Sequence, residues 1–185
     1  MYFNSSGPEC SGETLKIAVE QAIKRQVSHI VIASNAGPTA FALAEEGRKQ
    51  GYGGKLVCVT HVYGFVENGV NELSDENRAD LEKQGVRVHT AAHGLTGAER
   101  GLSKKFQGVY PVEMIAHSLR MFGQGMKVCV EIAVMALDAG LIPFGKPVIA
   151  IGGTGRGADT ASLITPGYSS SILSTKVHEI LCKPK

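Results

Sequence analysis

Two rhythms of apolar positions alternate along this chain. The first is a set of short continuous runs, His29–Ala33, Lys55–Thr60, Val86–Thr90 and Pro147–Ile151, rich in valine and isoleucine. Runs of that length and composition suit strands covered on both faces. The second is helical spacing. Leu15, Ala18, Val19, Ala22 and Ile23 line one face of a helix predicted over Glu13–Val27, with Ser11 as its cap. Thr39–Gln50 is predicted helical and stops at Gly51. A third helix opens at Ser74, with Asp75 and Glu76 in its positive first turn, and ends at Gly85. Strands and helices alternating at short intervals predict βαβ units and a largely parallel sheet.

Two stretches break the rhythm. Tyr63–Leu73 and Ala92–Gly108 read as long loops, and long loops in compact domains are often functional. Beyond them a helix starts at Pro111, with Val112, Ile115, Ala116, Leu119 and Phe122 on one face. Met126–Ala139 follows as an almost wholly apolar helix closed by Gly140, so it should be buried on most sides. Burial by a second subunit as well as by the sheet is one way to achieve that, and a homo-oligomer is expected. Ser162–Thr165 and Val177–Cys182 read as closing strands, with an antiparallel place open to either. Met1–Phe3 suits a short edge strand before a polar loop, Asn4–Gly12. No repeat or linker divides the chain, so residues 1–185 are expected to form a single α/β domain.

Composition narrows the partners. The net charge of +2 commits the chain to no polyanion, and Arg100, Lys104 and Lys105 form the one basic cluster. Without interleaved aromatics it reads as a solvated loop, so no nucleic-acid partner is expected. Cys10, Cys58, Cys129 and Cys182 are scattered, which argues against a disulfide framework or a zinc site. Cys58 and Cys129 sit in apolar runs and read as small core residues. No secretory signal or bilayer-length apolar run is visible, so a cytoplasmic protein with no membrane partner is expected.

Ligands of open α/β sheets bind outside the carboxyl ends of the strands, which points to four loops. The first, Ser34-Asn35-Ala36-Gly37-Pro38-Thr39, leads directly into a helix. It offers hydroxyls, an amide side chain, a glycine for close approach and free N–H groups at a positive helix end, as phosphate requires. An ordinary helix cap in a Gly-Pro turn explains the same residues. His61, and His93-Gly94 after the third strand, are either ligand or acid–base groups or plain loop histidines. Gly153-Thr154-Gly155-Arg156-Gly157-Ala158 matches a dinucleotide-binding pattern, but a strand rather than a helix follows it. A nest of backbone amides, with Arg156 and Asp159 available to a polar ligand, is the better account; a tight glycine connection is the plainer one. Lys127, Glu131 and Asp138 share one stripe of the apolar helix. That stripe is a solvated face, an internal ion pair, or, if Gly123 and Gly125 bring the helix start to the sheet edge, a place where Lys127 meets an anion or a ring carbonyl. No nucleophile elbow, P-loop or metal-type histidine spacing is present.

His29–Thr39, Phe122–Ile142 and Val148–Thr160 together resemble the small stand-alone proteins of the pyruvate kinase α/β-domain family. The resemblance implies a three-layer α/β/α sandwich with a mixed, mostly parallel sheet. In some pyruvate kinases the analogous Ser/Thr/Gly loop holds the phosphate of an allosteric sugar bisphosphate, and the stand-alone relatives are associated with flavin mononucleotide (FMN). Carried onto matching positions, it implies that Ser34, Asn35, Gly37 and Thr39 hold a phosphate. The turn Gly153-Thr154-Gly155 would lie alongside the ligand, and the reading of the sheet-edge loops and the α-helical stripe, not the resemblance, adds His61, Gly94, Lys127 and Asp159 to the same site. Assigning Lys127 to the flavin ring is an inference from its place on the helix. A pyruvate kinase catalyses its reaction on a barrel of roughly 250 residues, for which this chain has no room, so pyruvate kinase activity is not expected. The leading expectation is an FMN-binding protein, with flavin-dependent redox chemistry as its candidate activity. The alternative is a non-catalytic sensor of a sugar phosphate or nucleotide, and a phosphatase or lyase using His61 or His93 is a third reading.

Overall fold

The computed structural model describes residues 1–185. The seven strands are β1 (Tyr2–Phe3), β2 (His29–Ala33), β3 (Lys55–Val59), β4 (Val86–His89), β5 (Val148–Gly152), β6 (Thr160–Thr165) and β7 (Lys176–Pro184). They form one sheet in the order β1-β7-β6-β5-β2-β3-β4. The β5-β2-β3-β4 block is parallel, and β6 runs antiparallel to both β5 and β7. The chain leaves β2 toward β3 on one side and returns through β5 on the other. The carboxyl ends of β2 and β5 therefore flank the switch point of the sheet.

Helices cover both faces. The six are α1 (Ser11–Lys24), α2 (Pro38–Gln50), α3 (Asp75–Lys83), α4 (Gly97–Phe106), α5 (Pro111–Arg120) and α6 (Gln124–Asp138). Alternation along the strands splits the core in two. Ile30, Ile32, Cys58, Ile149 and Ile151 pack with Leu15 and Val19 of α1, Leu43 of α2 and Leu81 of α3. Val31, Val57, Val59, Val148 and Ala150 face the other way, onto α6. The result is the three-layer α/β/α sandwich with a mostly parallel mixed sheet that the resemblance implied, built around the βαβ units that the strand and helix rhythm predicted.

Local chemistry sets most boundaries. Gly37, at φ +108°, and Pro38 at the first helical position start α2, and Gly51 ends it in a left-handed turn. Ser74 caps α3 by accepting from the Asn77 amide at 3.1 Å.

Three expectations change. Ser11 lies inside α1 rather than capping it, and its hydroxyl accepts from the Ala158 amide at 2.9 Å. Phe122 falls beyond the end of α5 and is 56% exposed, not part of its inner face. The expected loop over Ala92–Gly108 contains α4. None of its residues is buried: Ala98, Leu102 and Phe106 recur at helical spacing, but they pack into no core. It is held instead by Glu99, whose carboxylate accepts from the Val112 and Glu113 amides at 2.9 and 3.2 Å, satisfying free donors at the start of α5. The apolar helix α6 is buried within the chain itself, from Gly125 to Leu137 apart from Val128, so its composition requires no second copy.

Candidate functional site

The loops at the carboxyl ends of β2, β3, β4 and β5 enclose a cleft of about 720 Å³ with the first turns of α1 and α6. That size lies within the ~300–1,000 Å³ usual for small-molecule sites. The α2 side offers hydroxyls and amides. Thr39 Oγ1 lies 2.7 Å from Ser34 Oγ, and the amides of Asn35, Ala36, Gly37 and Thr39 donate to no acceptor in the chain. Free amides at a helix N-terminus attract anions through both hydrogen bonding and the helix dipole. Gly37 itself is closed off: a Cβ there would lie 3.2 Å from the Phe41 ring and 3.3 Å from Leu73. It shapes the turn while Ser34, Asn35 and Thr39 line the cleft.

The glycine turn between β5 and β6 forms the neighbouring wall. Gly153, Gly155, Arg156 and Gly157 line the cleft, and the amides of Gly155, Arg156 and Gly157 are unpaired. Asp159 does not join them. Its carboxylate is fully buried and accepts from the Gly7 amide (3.0 Å), the Thr154 amide (3.0 Å) and the Thr160 hydroxyl (2.7 Å). With both oxygens occupied it holds the turn against the amino-terminal segment, and it is not among the residues that line the cleft. Thr154 does not line the cleft either.

The α6 side supplies charge. Gly125 fits directly against Thr160 and Gly152 against the Gly125 carbonyl, and a Cβ on either glycine would overlap those atoms. This close approach carries the first turns of α6 to the sheet edge. There Lys127 and Glu131, 4% and 5% exposed, form an ion pair at 2.5 Å. The other Glu131 oxygen accepts from the Leu95 amide at 2.9 Å, which ties the β4–α4 loop to α6. Burial pushes the Lys127 amine below its usual range; Glu131 opposes that shift, and Arg120 and Arg100 add to it. Asp138, third of the stripe, lies outside the cleft and accepts from the Ser169 amide.

The β3 and β4 loops bring rings together. His61 packs on Phe65 with centroids 3.8 Å apart, and His93 lies 5.2 Å from His61 and 5.3 Å from Phe65. His61 Nδ1 is 2.5 Å from a Glu72 carboxylate oxygen. With Nδ1–H donating to that carboxylate, Nε2 is the free acceptor. Burial lowers the His93 imidazole, opposed by Glu131 and reinforced by His61, Lys127 and Arg100. Gly94 lines a separate, shallower groove between the β4–α4 loop and the end of α6, and is not part of this cleft.

The cleft thus unites Ser34, Asn35, Thr39, His61, Lys127, Gly153 and Gly155, and leaves out Gly37, Gly94, Thr154 and Asp159. It adds Phe65, Glu72, Arg100, Arg120 and Gln124, which the sequence reading did not select. Glu72 was hidden in a loop eleven residues past its partner. Arg100 had been assigned to a solvated cluster.

Among solved structures, two of Cryptosporidium parvum pyruvate kinase align with this chain, each at 15% identity over 76% of it and 20% of the enzyme, with TM-scores of 0.39 and 0.37. The chain spans about a fifth of the length of those proteins. The family model described as pyruvate kinase, alpha/beta domain matches residues 13–165, from α1 through β6, so the chain belongs to that family.

Proposed function

We propose that the cleft binds a phosphorylated ligand with a planar ring, that this ligand is flavin mononucleotide, and that the protein serves flavin-dependent electron transfer. The observation that carries the reading is the union, in one cleft at the switch point, of unpaired helix-start amides with a wall of rings and a buried ammonium. The residues fit the two ends of such a ligand. The Ser34 and Thr39 hydroxyls and the amides around Gly37 would hold the phosphate, where the closely packed Gly37 leaves no room for a side chain. Phe65, His61 and His93 offer flat apolar surface to a ring. Lys127 would stabilise negative charge on the ring, since an ammonium in a partly water-excluded site needs little reorganisation to do so. His61, oriented by Glu72, would exchange a proton through Nε2 with a group bound beside it. A bound flavin would itself supply the electron transfer that these side chains lack.

The family favours a second reading, a non-catalytic sensor of a sugar phosphate or nucleotide, because the same domain serves a regulatory role in pyruvate kinases. A visible absorption spectrum of freshly purified protein, with mass spectrometry of the heat-released ligand, separates the two. Flavin bands and an FMN mass support the first reading. A colourless protein that takes up no added FMN, yet is stabilised by sugar bisphosphates, abandons it for the second. Replacing Thr39 by valine is expected to weaken FMN binding by ~10-fold or more through loss of a phosphate hydrogen bond. Riboflavin, which lacks the phosphate, should bind both proteins equally.

A further inference from the structure

The cleft carries more positive charge than one phosphate seat accounts for. Arg100, Arg120, Lys127 and Arg156 line it against only Glu72 and Glu131. Four cations less two anions leave +2, as much as the whole chain carries. Lys127 is matched by Glu131, and Arg156, also without a carboxylate partner, stands on the glycine turn that forms the wall beside the phosphate seat. Arg100 and Arg120 remain, and neither has a carboxylate partner anywhere in the chain.

Both guanidiniums are positioned. The Arg120 Nε donates to Gln124 Oε1 at 2.8 Å and one terminal nitrogen lies 3.4 Å from His117 Nδ1, which leaves the second terminal nitrogen free to donate into the cleft. Arg100 lies over the Phe65 ring at 5.7 Å, a cation–π contact that holds it at the cleft wall. They reach the cleft from α4 and α5, and both act electrostatically on Lys127. The phosphate seat belongs to α2, which packs on the opposite face of the sheet from α6. Two cations without carboxylate partners on the wall of one cleft raise its positive potential, and a bound anion is what such a wall favours.

We propose that Arg100 and Arg120, beside the buried Lys127–Glu131 pair, form a second anion subsite that takes the carboxylate or phosphate group of a separate small molecule bound next to the first ligand. Under the flavin reading this molecule is the redox partner, which is then a small organic anion. The subsite itself rests on the arginines and does not require the flavin.

Inorganic phosphate is the probe. Titration calorimetry on the whole chain is expected to find two sites. Arg100→Gln/Arg120→Gln should lose one of them, weakening it by ~10-fold or more for each guanidinium removed, and keep the other. Both residues are at least partly exposed, and an unchanged far-ultraviolet spectrum will establish that the double variant folds. Thr39→Val should weaken only the other site. Protein saturated with FMN should still bind one phosphate, and loss of both would overturn assignment to a separate molecule. One site sensitive to Thr39 and indifferent to the arginines overturns the proposal while leaving the phosphate seat intact. One site sensitive only to the arginines leaves the subsite standing and counts against the seat. No phosphate binding at all refutes both.

Discussion

Asp159 offers a sharp test of how the glycine turn is held. It has no solvent exposure, and its carboxylate joins the turn to a segment 152 residues earlier through the Gly7 amide. Replacement by alanine strips the Gly7 and Thr154 amides of their acceptor, while the Thr160 hydroxyl can rotate toward another. Each buried donor left unpaired costs ~1–3 kcal/mol. Gly7 is buried and Thr154 exposed, so the first should incur the larger share, and together they give ~2–5 kcal/mol. Asparagine is different. Its carbonyl can take the place of the oxygen that accepts from both amides, and its NH₂ can donate to the Thr160 hydroxyl, so Asp159→Asn should cost only ~1 kcal/mol. Urea denaturation distinguishes them. At an m-value of ~2 kcal/mol/M, Asp159→Ala should lower the midpoint by ~1–2.5 M and Asp159→Asn by ~0.5 M. If the two variants unfold together, or alanine shifts the midpoint by less than ~0.3 M, the carboxylate does not organise the turn as argued.

Three other outcomes are expected. Lys127→Met should destabilise by ~3–5 kcal/mol because it leaves Glu131 charged and buried with only the Leu95 amide, whereas Lys127→Met/Glu131→Leu should recover much of that in the same urea assay. Stability should fall as pH drops below 6.5. Burial lowers His29, His89 and His93, aided at His29 by Lys55 and Arg87 and at His89 by Arg78, so the unfolded chain takes up protons there that the fold does not. Above that pH both states are neutral at these rings, and a urea midpoint that rises on acidification from 6.5 to 5.5 contradicts the assignment. All four cysteines are buried, and burial pushes Cys58 and Cys129 up to about 12, so the native chain should react with a thiol reagent at pH 8 no faster than it unfolds. Rapid stoichiometric labelling of either thiol in folded protein would rule that burial out.

What could be read from the sequence divides by how local its cause is. β2 was legible to the residue, because His29 and the four apolar residues Ile30–Ala33, set between Ser28 and Ser34, admit one reading. α2 and α3 were legible at their ends because Gly37-Pro38, Gly51 and Ser74 act within a turn of where they stand. α4 was not, since it is held by Glu99 reaching α5 rather than by a buried apolar face. Ser11 reads as a cap in sequence, but a donor 147 residues away competes for its hydroxyl.

The same distinction decides the site. The β2–α2 loop was recognisable because its hydroxyls, glycine and helix start are adjacent in sequence, and adjacency suffices to aim free amides at one point. Lys127 required one more condition, the approach of α6 to the sheet edge, and Gly125 with Gly152 meets it by removing two side chains from the contact. His61 could be named but given no role, since what orients it is Glu72 across a loop whose path the sequence does not state. Asp159 is the opposite case. Beside a glycine nest a carboxylate suggests a ligand contact, yet the Gly7 amide, 152 residues earlier, and two donors of the turn itself, Thr154 and Thr160, occupy both its oxygens. Arg100 and Arg120 stood on two separate helices with nothing in either to connect them. Only the fold sets both beside Lys127 without a carboxylate to neutralise them, so the strongest indication of a second ligand is a charge left over after every pair in the cleft has been counted.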